Sequence, residues 1–162
     1  MAAVDYFLKI EGIEGESHDD KHKNEIHVSS FSWGEKQSGT HMSGGGGGAG
    51  KVEMGDFHFT MSVNKASPKL MLACACGDHI KSAELTCNKA GGKAQGFFVI
   101  TLSDILVSSY STTGSGHGDL IPHDQITLNY SKIEFAYKEQ KKDGSLGAAT
   151  KAGWDVKANK AV

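Results

Sequence analysis

The chain has 162 residues, a formal net charge of −2, 38% hydrophobic residues, 21 glycines and 2 prolines. That length buries a real core, and one domain spanning residues 1–162 is expected; the near-neutral charge supplies no field for nucleic acid or an anionic membrane. Every one of the 17 basic residues is Lys, so the bidentate Arg contacts that read phosphate or guanine are missing.

Strand signals dominate the chain. Val4, Tyr6, Leu8 and Ile10 alternate with Asp5, Phe7 and Lys9. Ile26 and Val28 open a second strand, whose apolar phase then shifts to Phe31 and Trp33. A phase shift of that kind predicts a bulge near Ser29–Ser30. A similar shift is expected around Gly55–Asp56, before the alternation Phe57-His58-Phe59-Thr60-Met61. One helix follows: Ser67 reads as its N-cap, Pro68 as its first residue and Gly77 as its stop, with Leu70, Met71, Ala73 and Cys74 as its apolar stripe. Strands are then predicted from Ile80 to Asn88, Gly96 to Tyr110 and Gln125 to Tyr137, with a short last strand holding Trp154 and Val156. The run Phe97 to Leu102 is apolar on both faces and so reads as central. Within Gln125 to Tyr137 the apolar set changes from Ile126, Leu128 and Tyr130 to Ile133, Phe135 and Tyr137. Exposed loops are expected at residues 12–24, 37–50, 112–123 and 141–150. The pattern predicts a mainly β chain, a barrel or two tightly packed sheets, with one short α-helix alongside.

The run Gly44 to Lys51 fits the spacing of a phosphate-binding loop, G-x-x-x-x-G-K, but lacks its mechanics. The residue after Lys51 is Val52, which has no hydroxyl for Mg²⁺. Period-2 alternation follows where a nucleotide-binding loop needs a helix, and consecutive glycines are not a preorganised cradle. Nucleotide binding is therefore disfavoured. His18 and His22 flank Asp19 and Asp20 in a segment, Glu14 to Lys21, without an apolar anchor, which reads as a solvated loop and not as a metal site. His41 and His58 lack a third ligand at recognisable spacing. Cys74, Cys76 and Cys87 are too few and odd in number for a disulfide framework, and the C-x-C pair Cys74 and Cys76 reads as small buried hydrophobes. No nucleophile elbow or distinctive carboxylate pair is present. The sequence thus offers no catalytic residue, no cofactor motif and no metal-ligand set. That leaves binding or assembly; a monomeric β-sandwich binding module, for example one for carbohydrate, is the alternative.

The ordered words of the chain carry a resemblance. They are Ala3 to Ile10, Gly15-Glu16-Ser17, Phe31-Ser32-Trp33-Gly34, Gln37-Ser38-Gly39, His41-Met42-Ser43 into the glycines, and Gly50-Lys51-Val52. Ser67-Pro68-Lys69-Leu70-Met71, Cys74-Ala75-Cys76-Gly77, Val107 to Ser111, Leu128-Asn129-Tyr130 and Gly153-Trp154-Asp155 follow. End to end the sequence resembles the haemolysin-coregulated protein (Hcp) family of the bacterial type VI secretion system. The resemblance implies two packed β-sheets forming a barrel, and a ring-shaped homohexamer. It implies rings stacked into the inner tube of a contractile machine, with effector proteins carried in the lumen. Its partners would be further copies of itself, those effectors, the tip spike protein and the contractile sheath, with no nucleic acid and no membrane. No signal-peptide pattern opens the sequence, and no stretch approaches the length of a membrane span. The expectation is a bacterial cytoplasmic protein exported through that apparatus. With its end at Val162, soon after the Trp154 strand, no enzymatic extension is expected.

On that reading the loop from Gln37 to Lys51 is the arm that reaches a neighbour, and Gly39, Met42, Gly44, Gly45, Gly46, Gly47, Gly48, Gly50 and Lys51 are its candidate interface residues. Glycine lets backbone approach backbone closely there. Alternation places Ser32 opposite Phe31 and Trp33, so Ser32 is the candidate lumen and effector-facing residue.

Overall fold

The computed structural model describes residues 4–39, 50–89, 95–118 and 120–162. In chain order they form β1 (Val4–Ile10), β2 (Ile26–Val28), β3 (Ser30–Ser32), β4 (Glu35–Lys36), β5 (Glu53–Met54), β6 (Phe57–Ser62), α1 (Ser67–Cys76), β7 (His79–Lys89), β8 (Gly96–Thr113), β9 (His123–Gln140), β10 (Leu146–Asp155) and β11 (Lys160–Ala161). The fold is mainly β with one short helix among the described residues.

All the ladders between these strands are antiparallel, and the main ones form a circuit. β1 pairs β2 and β7, β7 pairs β8, β8 pairs β9, β9 pairs β6 and β6 pairs β3. β2 and β3 are two halves of one strand interrupted at Ser29, whose N–H donates to the Thr60 carbonyl at 2.8 Å. The first half is bound to β1 and the second to β6, which brings the circuit back to its start. The bulge expected at Ser29–Ser30 is therefore the point where the strand changes partners, as bulges at barrel corners do.

A second device bends the sheet. The inward-facing residues change parity at one level on three strands: from Ile80 to Ala83 in β7, from Ile105 to Leu102 in β8 and from Tyr130 to Ile133 in β9. The phase change read in β9 is thus shared by its neighbours. Asp104 sits at this level with φ of 53°, a left-handed conformation that Asp tolerates better than most residues. His79 Nδ1 at 3.2 Å and the Lys157 ammonium at 2.9 Å hold its carboxylate. The bend lets one set of long strands supply both packed layers, as in the Hcp-like architecture expected.

The core between the layers includes Phe57, Phe59, Leu8, Ile26, Leu85, Ile100, Leu102, Ile105, Ile126 and Leu128, each under 2% exposed. Each such side chain contributes about 1.5–3 kcal/mol relative to leaving it in water. Cys87 belongs to this core, and burial pushes its thiol pKa up to about 11. Cys74 is half-buried and Cys76 exposed, so the buried-hydrophobe reading fails for Cys76, which lies on the solvent side of α1.

Four sequence expectations need correction. Ser67 is the first helical residue and Ala66 the N-cap. The Ser67 hydroxyl is used otherwise: it donates to the buried Asp124 carboxylate at 2.6 Å, fastening α1 to β9. Gly77 ends the helix with φ of 67° as expected, but in the stripe only Leu70 and Ala73 are buried, while Met71 is half exposed. The loop expected over residues 141–150 is strand from Leu146 onward, because Gly147, Ala148 and Ala149 carry no alternation to reveal it. Finally, the segment at 12–24 is docked. Ile13 and Gly15 are buried, the His22 ring stacks on Phe7 at 4.5 Å, and both Glu25 carboxylate oxygens lie 3.1 Å from His22 Nδ1. Phe7, on the outward side of β1, is buried by that lid.

Candidate functional site

Two surfaces answer to the residues singled out in the sequence. The first is the outward face of β3, β6, β9 and the end of β8. Ladder registers define its rows. Ser32 lies opposite His58, His58 opposite Thr127 and Thr127 opposite Ser109. Ser30 lies opposite Thr60, then Gln125, then Ser111; Ser62 lies opposite His123, then Thr113. Directly opposed residues of an antiparallel pair share a face, so these side chains form one surface. It is made of small polar groups, with no Lys, Asp or Glu in its rows. Hydroxyls bond across it: Ser30 to Thr60 at 2.6 Å and Ser109 to Thr127 at 2.6 Å. Asp56 closes one end, accepting from Ser108 Oγ at 2.7 Å and Asn129 Nδ2 at 2.9 Å.

The strand pattern fixes which face this is. On β3 the alternation holds: Ser30 and Ser32 are exposed while Phe31 is half-buried, stacked on Phe57 at 6.0 Å and edge-on to Tyr6 at 5.1 Å. Trp33 turns to the core side too. Its indole N–H donates to the Gly55 carbonyl at 3.1 Å and to the Tyr130 hydroxyl, which itself donates to Gly55 at 2.7 Å. Burial, ahead of the other influences, raises the Tyr130 phenol pKa. Sequence reasoning placed Ser32 on the side of the strand away from the aromatics, as the structure does, and did not name the residues beside it. Each of them is an ordinary alternate residue in its own strand, and only the register assembles them.

The second surface is the β4–β5 hairpin. β4 and β5 form a two-stranded sheet of their own, Glu35 opposite Met54 and Lys36 opposite Glu53. The Lys36–Glu53 ion pair spans 3.3 Å and both side chains are largely exposed, so it adds little. A Cβ on Gly50 would stand 2.7 Å from Ser38 Oγ, so the two limbs approach closely here and a side chain at 50 would part them. Gly39 and Lys51 are exposed. Lys51 lies two residues before β5, and strand, not helix, follows the glycines. Met42, Gly44, Gly45, Gly46, Gly47 and Gly48 lie outside the described residues.

His18 and His22 do not converge on an ion: the His22 ring is occupied by Phe7 and Glu25. Among the described residues no group of three or more His, Cys, Asp or Glu is arranged to hold a metal. No described helix is long and apolar enough to cross a membrane.

The comparisons with known proteins agree with each other. A family model described as type VI secretion system effector, Hcp, matches residues 7–137. The protein hcp1 of Pseudomonas aeruginosa is 46% identical over 159 residues, which cover 97% of this chain and 98% of that protein. The crystal structure of Hcp1 from Salmonella typhimurium superimposes with a TM-score of 0.82 at 36% identity, covering 99% of this chain and all of that one. A structure described as a type six secretion system protein gives a TM-score of 0.94 at 31% identity, with the same coverage.

Proposed function

Because the chain belongs to the Hcp family of type VI secretion, we propose that it is a structural, secreted component of that system. Copies of it form homohexameric rings, the rings stack into the inner tube, and effector proteins travel in the lumen. The tip spike and contractile sheath are its other partners, and it performs no catalysis of its own. It is made in the bacterial cytoplasm and leaves through the apparatus without a signal peptide.

The observation that carries this reading is the uncharged face of β3, β6, β9 and β8. A channel wall that passes varied proteins must neither trap them by charge nor bury their apolar groups. A lattice of Ser, Thr, His and Gln side chains, several already bonded to one another, meets both needs. In this reading Ser32 and its row face the lumen. The β4–β5 hairpin, with Gly39, Gly50 and Lys51 at its base and Met42 and Gly44 to Gly48 beyond, reaches a neighbouring copy. Its small two-stranded sheet is anchored at its root, where Met54 packs on the core and the Gly55 carbonyl accepts from Trp33 and Tyr130.

Size-exclusion chromatography with light scattering tests the assembly: the expected mass is about six times the 17.2 kDa chain. A single-chain mass at all concentrations overturns it and returns the monomeric binding module. Replacing Ser32 by Gln or Trp tests the lumen assignment. Cargo co-purification is expected to fall with ring mass unchanged, and unaltered cargo recovery contradicts it.

A further inference from the structure

The Ser, Thr and Gln rows on β3, β6, β9 and β8 hold two histidines. His123 lies at the edge, between Ser62 and Thr113, and His58 lies in the middle, between Ser32 and Thr127. Three other histidines each face a carboxylate: His22 Nδ1 is 3.1 Å from Glu25, His27 Nε2 is 3.6 Å from Asp5 and His79 Nδ1 is 3.2 Å from Asp104. Half-buried His58 has no carboxylate at ion-pair distance among the described residues. Its neighbours across the ladders are Ser30 and Ser32 on β3, Gln125 and Thr127 on β9, and beyond these Ser109 on β8. On β6 itself the carboxylate of this face is Asp56, two residues away. It already accepts from Ser108 Oγ at 2.7 Å and Asn129 Nδ2 at 2.9 Å. The remaining titratable groups near the strand, His123, His27 and Glu16, gather around Ser62 at its far end. Histidine is the side chain that gains its charge between about pH 8 and pH 5. A charge gained at His58 is therefore left for a group outside the chain, and a half-buried charge is screened less than one in bulk water.

We propose that His58 is the charge switch of the cargo wall. Neutral, it leaves the wall without charge; protonated, it holds acidic polypeptide segments, rich in Asp and Glu, at the level of Ser32. The inference rests on the ring reading, which sets six copies of His58 around one channel. To that reading it adds the class of cargo and the condition under which cargo is held. Charge complementarity selects an acidic segment: a protonated wall repels a basic one, and the rows offer an apolar one no apolar side chain.

The probe is a labelled polyaspartate peptide of about ten residues, titrated into rings of the full chain at about pH 8 and about pH 5.5. Wild-type rings are expected to bind it about tenfold tighter at the lower pH, and added salt is expected to remove the gain. His58→Gln, which installs the side chain already present at Gln125, is expected to lose the gain. His18→Gln, which removes the same charge from the exposed part of the lid, is expected to keep it. His58→Lys is expected to bind at the higher pH as tightly as wild type does at the lower. Light scattering on each sample reports ring mass. His58→Gln rings with the wild-type gain, an equal loss from His18→Gln, or His58→Lys rings no tighter than wild type at the higher pH each overturn the inference and leave the ring reading intact. A parent chain that stays at single-chain mass overturns the ring reading and this inference with it.

Discussion

The two outward sheet faces on either side of the bend differ in chemistry, although β8 and β9 run through both. Before the bend the rows read Ser32–His58–Thr127–Ser109 and Ser30–Thr60–Gln125–Ser111. Beyond it they read Glu84–Thr101–Glu134–Gly153 and Thr86–Val99–Ala136–Lys151. The second face mixes carboxylates, ammonium groups and half-buried aliphatics around a depression of about 640 Å³. The first carries no formal charge in its rows. A surface exposed only to bulk water gains solubility from charge, and the second face follows that rule. A surface that gives charge up over four strands has another neighbour in view, and the proposed channel supplies one.

The comparison can be broken or sharpened by substitution, and the largest effects should come from the layer beneath both faces. Phe59→Ala should cost about 3–5 kcal/mol in denaturant unfolding, since Phe59 is fully buried and the ladder positions on either side are fixed. Gly15→Val comes next. Its Cβ would stand 2.6 Å from the Glu25 carbonyl oxygen, and backbone cannot yield as a side chain can. The loss should be about 1–3 kcal/mol, with faster amide exchange over residues 12–24 as the lid lifts from Phe7.

The bend itself has a pH signature. Asp104 is held below the ordinary carboxylate pKa, first by its hydrogen bond to Lys157, then by that to His79. A lowered folded-state pKa stabilises above the unfolded value near about 4 and is lost as pH falls through the folded value. Thermal melts should therefore separate wild type from Asp104→Asn at neutral pH and bring them together in acid. Asn keeps the left-handed backbone, so the difference reports the charge. A gap that persists in acid would assign the role to geometry alone. The smallest stability change should come from Ser32→Gln, within about 0.5 kcal/mol, because its side chain is exposed. Its effect belongs to cargo.

Much of the fold was legible because alternation and the Gly77 stop are local signals. The β2–β3 bulge showed itself as a phase shift from Val28 to Phe31, and the bend as a shift from Tyr130 to Ile133. What escaped depended on contacts distant in sequence. Ser67 has the composition of a cap, but Asp124, 57 residues on, claims its hydroxyl. Phe7 looked outward-facing, as it is, yet His22 covers it. The first five residues of β10 gave no sign because Gly and Ala alternate with nothing. The candidate site was half legible: Ser32 could be found from its aromatic neighbours, whereas Thr60, Gln125 and Ser111 needed the register.

An electron-microscopy reconstruction of the native oligomer tests the central claim most directly. The account predicts six copies around an open channel, with Ser30, Ser32, Thr60, Gln125 and Thr127 of each copy facing the axis. A ring that turns this face outward and lines its channel with Glu84, Glu134 and Lys151 would contradict it.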